Sequence, residues 1–356
     1  YCEAMTDNAY TKQPNDATQN IGNGSYSTAD PYVKKVWDGR YTGIRMCNEL
    51  LENIDRVPDL DPELKKRYIG EAKVLRAYNY YELYTKFGDV PYTTKVLSIK
   101  ESMSIARTAK ATVIANVLAD LDEVINGNYL PTSYDADNKG RITRWAAMAI
   151  KAKIYLFEGN WTQVKNITST IMTEGGFKLF GSYAGLFEIA NEYNSEVILD
   201  AQYRPTSREH QMMYVFLPPT LGGYSQLSPL QELVDSYIML DGKTIKETGT
   251  SFDESHPYAN RDPRLKATVM YTGNSYTLAD GTEVVINCEK GEGKDGYGVG
   301  SDCSATGYYI KKYWDNTYRA TLYSGLNPIL IRYADILLMN AEALAELGEL
   351  DKTAWD

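Results

Sequence analysis

The stretch that decides the fold runs from Glu71 to Pro91 and reads EAKVLRAYNYYELYTKFGDVP. Its large apolar side chains recur on one face of a 3.6-residue helix, at Tyr80, Leu83, Tyr84 and Phe87. Gly88 can take the left-handed conformation that ends many helices, and Pro91 prevents the helix from continuing. The stretch therefore predicts a buried aromatic helix that begins near residue 62 and ends near 87.

Helical periodicity continues on both sides of this helix. We predict helices at about 33–55 and 112–126, a helical hairpin over 143–175 and a returning helix at about 328–347. The predicted buried stripe of the returning helix is Ala334, Leu337, Leu338, Ala341 and Ala345. A helix this apolar needs a partner, which we expect to begin at Asp351, so we expect a C-terminal part of the protein to lie beyond this chain.

Residues 176–326 have a different composition, with short β-type runs between loops that are rich in Gly, Pro, Ser and Tyr. The runs are 196–203, 267–271, 283–287 and 307–314, and Asp280-Gly281 predicts a two-residue hairpin turn. We therefore predict a mainly α fold in three parts. The parts form one intertwined domain. They are an N-terminal loop with a helical scaffold (1–175), a loop-rich insert (176–326) and a returning scaffold helix (327–356).

Charge and length limit the class of partner. The 356 residues contain 47 Asp and Glu against 37 Lys and Arg, a formal net charge of −10. Because phosphate binding needs clustered basic residues, nucleic acid and anionic polymers are disfavoured as bulk partners, and a neutral ligand is expected. A local basic pocket stays open. No run approaches the roughly 18 apolar residues of a membrane span, and residues 1–20 lack signal-peptide features, so we expect any leader to have been removed.

Catalytic chemistry finds little support in the sequence. His210 and His256 are the two histidines, each in a polar loop, and no metalloprotease, nucleophile-elbow or paired Cys-x-x-Cys motif occurs. We predict no catalytic residue, no metal site and no cofactor. Carboxylate pairs for glycoside hydrolysis stay open, because many acids are present and none is marked.

Two charged motifs and one cysteine pair are interpreted as structural. Arg261-Asp262-Pro263-Arg264 is expected to form a turn whose charges pair locally or cap helices. Arg76 lies on an apolar stripe and is expected to satisfy a buried carboxylate, with Asp89 as the candidate. Cys288 and Cys303 flank a glycine-rich loop, where a disulfide and two free thiols are both open.

Five segments in order resemble the SusD/RagB family of outer-membrane nutrient-binding lipoproteins. The first two are Trp37-x₃-Tyr41-x₂-Ile44-x₃-Asn48 and Arg76-Ala77-Tyr78 through Pro91. The others are Gly140-Arg141-Ile142-Thr143 with Ala146-Ala147, then Asn260 to Leu265 (NRDPRL) and Asn327 to Glu342 (NPILIRYADILLMNAE). They extend over nearly the whole chain.

The resemblance implies a right-handed scaffold of tetratricopeptide-like helical hairpins that supports an irregular ligand-binding face. It also implies a non-catalytic protein on the extracellular face of the outer membrane, held by a lipid anchor that this chain does not contain. Such proteins bind oligosaccharides or polysaccharides and deliver them to a SusC-like TonB-dependent porin.

Tyrosine is the residue type that fits this role, and the chain has 30 Tyr against 7 Phe. A tyrosine ring gives a flat apolar face with a polar tip, which suits a surface that binds sugars in water. The predicted ligand-binding residues lie in the N-terminal loop and the insert: Tyr10, Tyr26, Tyr203, Arg204, Tyr224, Tyr258, Tyr276 and Tyr297. Asn8 and Asn20 are polar companions.

Three alternatives stay open. A RagB-like protein of the same family would bind peptides instead of glycans. A helical-repeat adaptor would bind another protein on a concave face, although solenoids keep their insertions short. A carbohydrate-active enzyme would release products from an oligosaccharide.

Overall fold

The computed structural model describes residues 2–12, 18–317 and 323–350. The helices are α1 (Thr18–Gly22), α2 (Pro31–Asn53), α3 (Pro62–Phe87), α4 (Ile99–Ser104), α5 (Lys110–Asn126), α6 (Arg144–Phe157), α7 (Trp161–Glu174), α8 (Met212–Phe216), α9 (Gln231–Ser236), α10 (Pro263–Thr268) and α11 (Tyr333–Glu346). The strands are β1 (Ala9–Thr11), β2 (Val197–Asp200), β3 (Leu227–Pro229), β4 (Val269–Met270), β5 (Ser275–Thr277), β6 (Glu283–Val285), β7 (Tyr309–Ile310) and β8 (Ile329–Arg332).

The chain divides into two compact units. The helical unit comprises Lys34–Leu179, Ser195–Ala201 and Ile329–Asp356. The loop-rich unit comprises Tyr1–Val33, Phe180–Asn194 and Gln202–Pro328. The N-terminal loop thus groups with the insert, whereas we had grouped it with the first helices, because β1 pairs with β3 of the insert.

Helix α3 has the bounds that its sequence predicts. Pro62 stands at its first position, and the side chain of Asp61 accepts a hydrogen bond from Leu64 N at 2.8 Å. Gly88 ends the helix with φ +66° and ψ −120°, a region that glycine alone visits readily, although it is not the left-handed helical conformation that we predicted. Tyr80 and Tyr84 are fully buried in the main core.

The predicted hairpin over 143–175 is confirmed as α6 and α7. The Thr143 side chain accepts from Ala146 N and the Asn160 side chain from Gln163 N, so both helices begin with a side-chain cap. Ala146, Ala149 and Ala152 are completely buried, since small side chains let helices approach closely. Helix α5 packs against both α3 and α6, and α11 packs against α7.

The returning helix differs from our prediction in its start. Residues Ile329–Arg332 form strand β8, which pairs with β2, and α11 begins only at Tyr333. The run Ile329-Leu330-Ile331, with two β-branched isoleucines, suits a strand as well as a helix, so periodicity alone cannot place the boundary. Arg332 N donates to the Asp335 carboxylate at 2.8 Å where the helix starts.

The buried face of α11 also differs from the predicted stripe. The side chains that face the core are Ile336, Met339, Asn340 and Ala343. Leu338, which we placed on the buried stripe, is 66% exposed. Asn340 explains the shift, because its amide donates to Thr168 Oγ1 of α7 at 2.8 Å and so belongs in the interface. The predicted N-cap Asp351 lies outside the described residues.

Arg76 is a buried residue of α3, as predicted, but its partner is not Asp89. Its guanidinium donates to Asp120 of α5 at 2.7 and 3.0 Å and to Asn48 Oδ1 at 2.9 Å. Asp89 instead accepts from Lys110 N at 2.8 Å, at the first residue of α5. An arginine on an apolar stripe does need a carboxylate, but spacing along the chain does not identify which one.

Among its described residues, the loop-rich unit contains three short antiparallel pairs of strands. Strand β1 pairs with β3, β4 with β7 and β5 with β6. The β5–β6 hairpin has a three-residue loop, because Leu278 N still donates to Thr282 O. Gly281 closes that loop with φ +83°, so our two-residue turn at Asp280-Gly281 was one residue too short.

Arg261-Asp262-Pro263-Arg264 is structural, as predicted. Within the part of the chain that the structure describes, the Arg261 guanidinium donates to main-chain carbonyls alone, those of Val234, Tyr237 and Pro257, at 2.6–3.1 Å. Asp262 caps α10 and pairs with Arg264. The motif therefore ties α10 to the end of α9.

All four cysteines are free thiols. Of the two possibilities left open for Cys288 and Cys303, the structure therefore has two free thiols and not a disulfide. Both side chains are buried in the loop-rich unit.

The predicted class is confirmed: a mainly helical fold whose scaffold is made of tetratricopeptide-like hairpins, with a separate subdomain of loops and short strands.

Candidate ligand-binding face

The eight predicted ligand-binding residues all lie in the loop-rich unit. Two of them come from the N-terminal loop and six from the insert, more than 170 positions further along the sequence. The β1–β3 pairing brings these segments together, with Tyr10 directly opposite Ser228. Lys12 strengthens the connection, because its ammonium donates to the carbonyls of Ser301 and Cys303 at 2.5 and 2.8 Å.

Four of the predicted tyrosines have rings that solvent reaches. Their exposed fractions run from 37% for Tyr10 and 38% for Tyr224 to 40% for Tyr297 and 57% for Tyr26. In β1 the neighbours of Tyr10 are buried, so the strand holds this ring outward. These four residues, which we call the tyrosine quartet, are the exposed tyrosines of the predicted set.

Tyr224 is part of a stacked pair. Its ring lies on that of Tyr214 with centroids 4.2 Å apart and planes at 30°. The backbone repeats the pairing, because Tyr224 N donates to Tyr214 O at 2.9 Å. Because the stacking on Tyr214 and the backbone hydrogen bond both hold Tyr224 in place, its ring is a rigid platform. Little conformational entropy is lost when a sugar stacks on such a ring.

Tyr203 and Arg204 lie beside a polar network. Tyr203 N donates to Asn327 Oδ1 at 2.6 Å, and the Tyr203 ring packs edge-on against His210 at 4.7 Å. The guanidinium of Arg208 covers the Tyr203 ring from 5.6 Å. Arg204 itself is exposed at a tight turn. Tyr203 is half-buried, so its availability to a ligand stays a prediction.

Tyr258 is half-buried in a small aromatic group. It stacks on Tyr271 at 3.9 Å, and its hydroxyl donates to Tyr308, which donates to Gln231 at 2.7 Å. Burial is the main cause that raises the pKa of the Tyr258 phenol, and the hydrogen bond to Tyr308 raises it further. The phenol therefore stays a neutral donor at physiological pH.

Tyr276 does not have the exposure that a ligand platform requires. Its exposed fraction is 0%, its hydroxyl donates to Ile310 O at 2.8 Å, and Trp314 covers its ring at 4.9 Å. The loop position predicted a surface residue, but β5 turns this side chain into the small core of the unit. We therefore remove Tyr276 from the proposed ligand set.

The two polar companions, Asn8 and Asn20, form side-chain hydrogen bonds within the N-terminal loop. Asn8 donates to Glu3 at 2.9 Å, and Asn20 donates to Asp30 at 3.1 Å. Their part in ligand binding stays a prediction.

Two cavities of the loop-rich unit were missed by the sequence reasoning. The first, of about 400 Å³, is mainly apolar and is lined by residues that include Met212, Phe216 and Tyr237. The second, of about 240 Å³, is the lysine cavity, lined by Lys266, Lys311, Lys312, Phe187, Tyr313 and Trp314 among others. Lys312 and Tyr313 border both cavities.

The signal for the second cavity was present in the sequence. Lys311-Lys312-Tyr313-Trp314 combines two cations with two aromatic rings, but we took it as the end of a β-type run. The strand stops at Ile310 and Tyr313 has φ +64°, so the tetrapeptide leaves the sheet and lines the cavity.

Neither histidine is arranged as a catalytic group. His210 contacts main-chain atoms, with Nε2 2.7 Å from Leu326 O and Nδ1 accepting from Met212 N. His256 is exposed beside Asp253. Across residues 2–12, 18–317 and 323–350, His, Cys, Asp and Glu side chains form no group of three that could hold a metal ion.

The helices of the structure were compared with the length and apolar character of a membrane-spanning helix. Over the described part of the chain, no helix combines the length and the apolar character needed to cross a bilayer.

Comparison with known proteins defines the class. A family model described as "SusD family" matches residues 186–356, and one described as "Starch-binding associating with outer membrane" matches residues 1–156. Together they account for most of the chain. The chain belongs to the SusD/RagB family.

Individual relatives agree. "SusD-like protein P25" of Formosa agariphila is 32% identical over 196 residues, which are 52% of this chain and 37% of that protein. "SusD-like protein P38" of the same organism is 24% identical over 360 residues, 95% of this chain and 64% of that protein. The chain thus spans less than two thirds of the length of either curated relative.

A solved structure has the same fold. A SusD-like carbohydrate binding protein from Bacteroides fragilis superposes with a TM-score of 0.88 at 26% identity. The match includes 99% of this chain and 68% of that one. The mainly helical fold with a loop-rich subdomain is therefore that of a SusD-like protein.

Proposed function

We propose that this chain captures glycans at the cell surface, with the tyrosine quartet as its sugar-contacting groups. One observation carries the proposal: the loop-rich unit of a SusD/RagB family member holds four exposed tyrosine rings, drawn from two distant parts of the sequence. The carbohydrate-binding description of the Bacteroides fragilis protein supports the same class of ligand.

The energetics fit a capture protein. A pyranose face that covers roughly 40–60 Å² of ring contributes about 1–1.5 kcal/mol at ~25 cal/mol/Å². Two or three such contacts, with hydrogen bonds of about 1 kcal/mol each, give dissociation constants of ~10 µM to millimolar. A protein that collects a polymer and then releases it needs affinity of this order.

We further propose that the full-length protein is lipid-anchored on the extracellular face of the outer membrane. There it would pass glycans to a SusC-like TonB-dependent porin and catalyse no reaction. Family membership and the outer-membrane wording of the matching family description support this placement. Co-purification of the full-length protein with a porin from native outer membranes tests the partner.

Calorimetry and affinity electrophoresis against a panel of polysaccharides test the ligand class. We expect at least one glycan to bind in the range given above, with no oligosaccharide product after long incubation. Binding to peptides and to no glycan would replace this function with the RagB-like one. Product release would show an enzyme.

A further inference from the structure

The lysine cavity carries an unusual local charge. Lys266, Lys311 and Lys312 line it, against the single carboxylate of Glu188. The whole chain has ten more acidic than basic residues, so a cavity with a cation excess is not what composition predicts. A local field of this kind attracts an anion even on an acidic protein.

The charge of Glu283, which is not among the cavity-lining residues, reaches both Lys266 and Lys311, but Glu283 forms no ion pair with any of the three lysines. Within the described residues, none of them has a carboxylate oxygen within 4 Å. Lys311 donates to the neutral amide of Asn274 at 3.0 Å. Lys312 lies over the Phe187 ring, 4.1 Å from its centroid, with the Tyr183 and Tyr313 rings at 5.8 Å.

The surroundings of one of these lysines shift its pKa. Burial, and then the neighbouring charge of Lys266, lower the pKa of the Lys311 ammonium, while Glu283 acts in the opposite direction. An anion placed between these lysines would reverse the effect, because it favours their charged forms.

The same cavity contains flat apolar surface. Tyr313 and Trp314 line it, and the Trp314 indole is fixed by a hydrogen bond from Nε1 to Thr277 O at 2.9 Å. Rings beside lysines would contact a sugar through its face and its charged substituent at once. A small free anion would use only the lysines.

We propose that the lysine cavity binds an acidic sugar residue, in which an oxyanion, either a uronate carboxylate or a sulfate ester, pairs with Lys266 and Lys312 while the pyranose contacts the adjacent rings. This proposal rests on the glycan-binding function and sharpens it. The neutral ligand predicted from the net charge is replaced by a glycan that carries anionic substituents.

Matched pairs of oligosaccharides test the proposal by calorimetry at low salt. One arm compares a galacturonate oligosaccharide with its methyl ester, and the other compares a sulfated galactan oligosaccharide with its desulfated form. We expect the acidic member of at least one pair to bind about tenfold more tightly, a preference that added NaCl removes. The arm that responds identifies the source of the oxyanion.

Variants of Lys266 and Lys312 locate the effect. Lys266→Gln with Lys312→Gln should abolish the preference for the acidic member and leave binding of the uncharged member unchanged. Lys266→Arg with Lys312→Arg keeps the charges and should keep the preference, and thermal unfolding of both variants checks the fold.

Three outcomes would overturn the proposal. They are equal affinity for the acidic and uncharged members, a preference that survives the Gln variants, and saturation of the site by inorganic sulfate or an acidic peptide with the affinity of the acidic sugar. In the first case the neutral glycan still binds and the proposed function stands. If no glycan binds at all, the proposed function fails as well.

Discussion

Arg76 donates two hydrogen bonds, from Nε and Nη2, to the same carboxylate oxygen of Asp120, at 3.0 and 2.7 Å. Its third donor, Nη1, reaches Asn48 Oδ1 at 2.9 Å. Arg76 lies on α3, Asp120 on α5 and Asn48 on α2, so one buried guanidinium joins three helices of the scaffold.

We expect Asp120→Ala to lower the free energy of unfolding by about 3–5 kcal/mol, because it leaves a buried arginine without its counter-charge. Asp122→Ala on the same helix is the matched control. Asp122 pairs with Lys151 but is 43% exposed, so its loss should cost about 1 kcal/mol or less. Urea unfolding of both variants measures the difference.

The double variant Arg76→Met with Asp120→Leu removes both charges of the ion pair and keeps an apolar side chain at each position. It should be much less destabilised than the sum of the single variants, since neither charge is left unpaired. Additive losses would show that the two residues are not coupled.

In Arg261-Asp262-Pro263-Arg264 the two arginines should behave oppositely. Arg261→Met removes the guanidinium that donates to three main-chain carbonyls, so we expect a loss of about 2–4 kcal/mol in the loop-rich unit. Arg264→Met breaks a pair whose arginine is 58% exposed, and the 11% exposed Asp262 still accepts from Arg264 N, so stability should change by only about 1 kcal/mol or less. Thermal unfolding with hydrogen exchange on residues 230–270 reports both, and similar losses would refute the structural role of Arg261.

The four cysteines should count as four thiols. Dithionitrobenzoate added to unfolded, unreduced protein should detect all of them, whereas a Cys288–Cys303 bridge would leave two. In the folded protein at pH 8, exposed Cys2 should react first. Burial raises the pKa of Cys47 to about 11 and that of Cys288 to about 12, so little reactive thiolate forms at either.

Alkaline pH should destabilise the helical unit. Burial raises the pKa of the Tyr81, Tyr92 and Tyr134 phenols to about 12 each, from an ordinary value of 10. In the unfolded chain these phenols lose their protons near pH 10, so the stability they contribute is complete below pH 10 and is lost between pH 10 and 12. Urea midpoints at pH 9, 10 and 11 should fall progressively, and a constant midpoint would contradict the burial of these rings.

Local signals were enough to predict much of the scaffold. Helix α3 has the predicted bounds because Asp61, Pro62 and Gly88 act within a few residues of its ends. The α6–α7 hairpin is equally local, with a cap before each helix. The start of α11 could not be found in the same way, since Ile329–Arg332 becomes a strand only by pairing with β2.

The candidate site depends on contacts that the sequence does not show. Nothing near Asp89 or Asp120 in the sequence indicates which of them would meet Arg76. Tyr276 and Tyr297 both lie in loop-like sequence, yet one is buried under Trp314 and the other is 40% exposed. The lysine cavity is assembled from three segments, near residues 184–188, 263–267 and 311–314, so no single motif could reveal it.

The central claim is that exposed phenol rings of the loop-rich unit recognise the glycan. The most direct measurement is the affinity, for whichever glycan the panel identifies, of a variant with all four quartet tyrosines changed to alanine. Its control changes the same four residues to phenylalanine, which keeps the ring faces.

Each ring face lost should weaken binding by about five- to tenfold, so the alanine variant should show no measurable binding and the phenylalanine variant should stay within about threefold of the parent. Full affinity in a folded alanine variant would contradict the account.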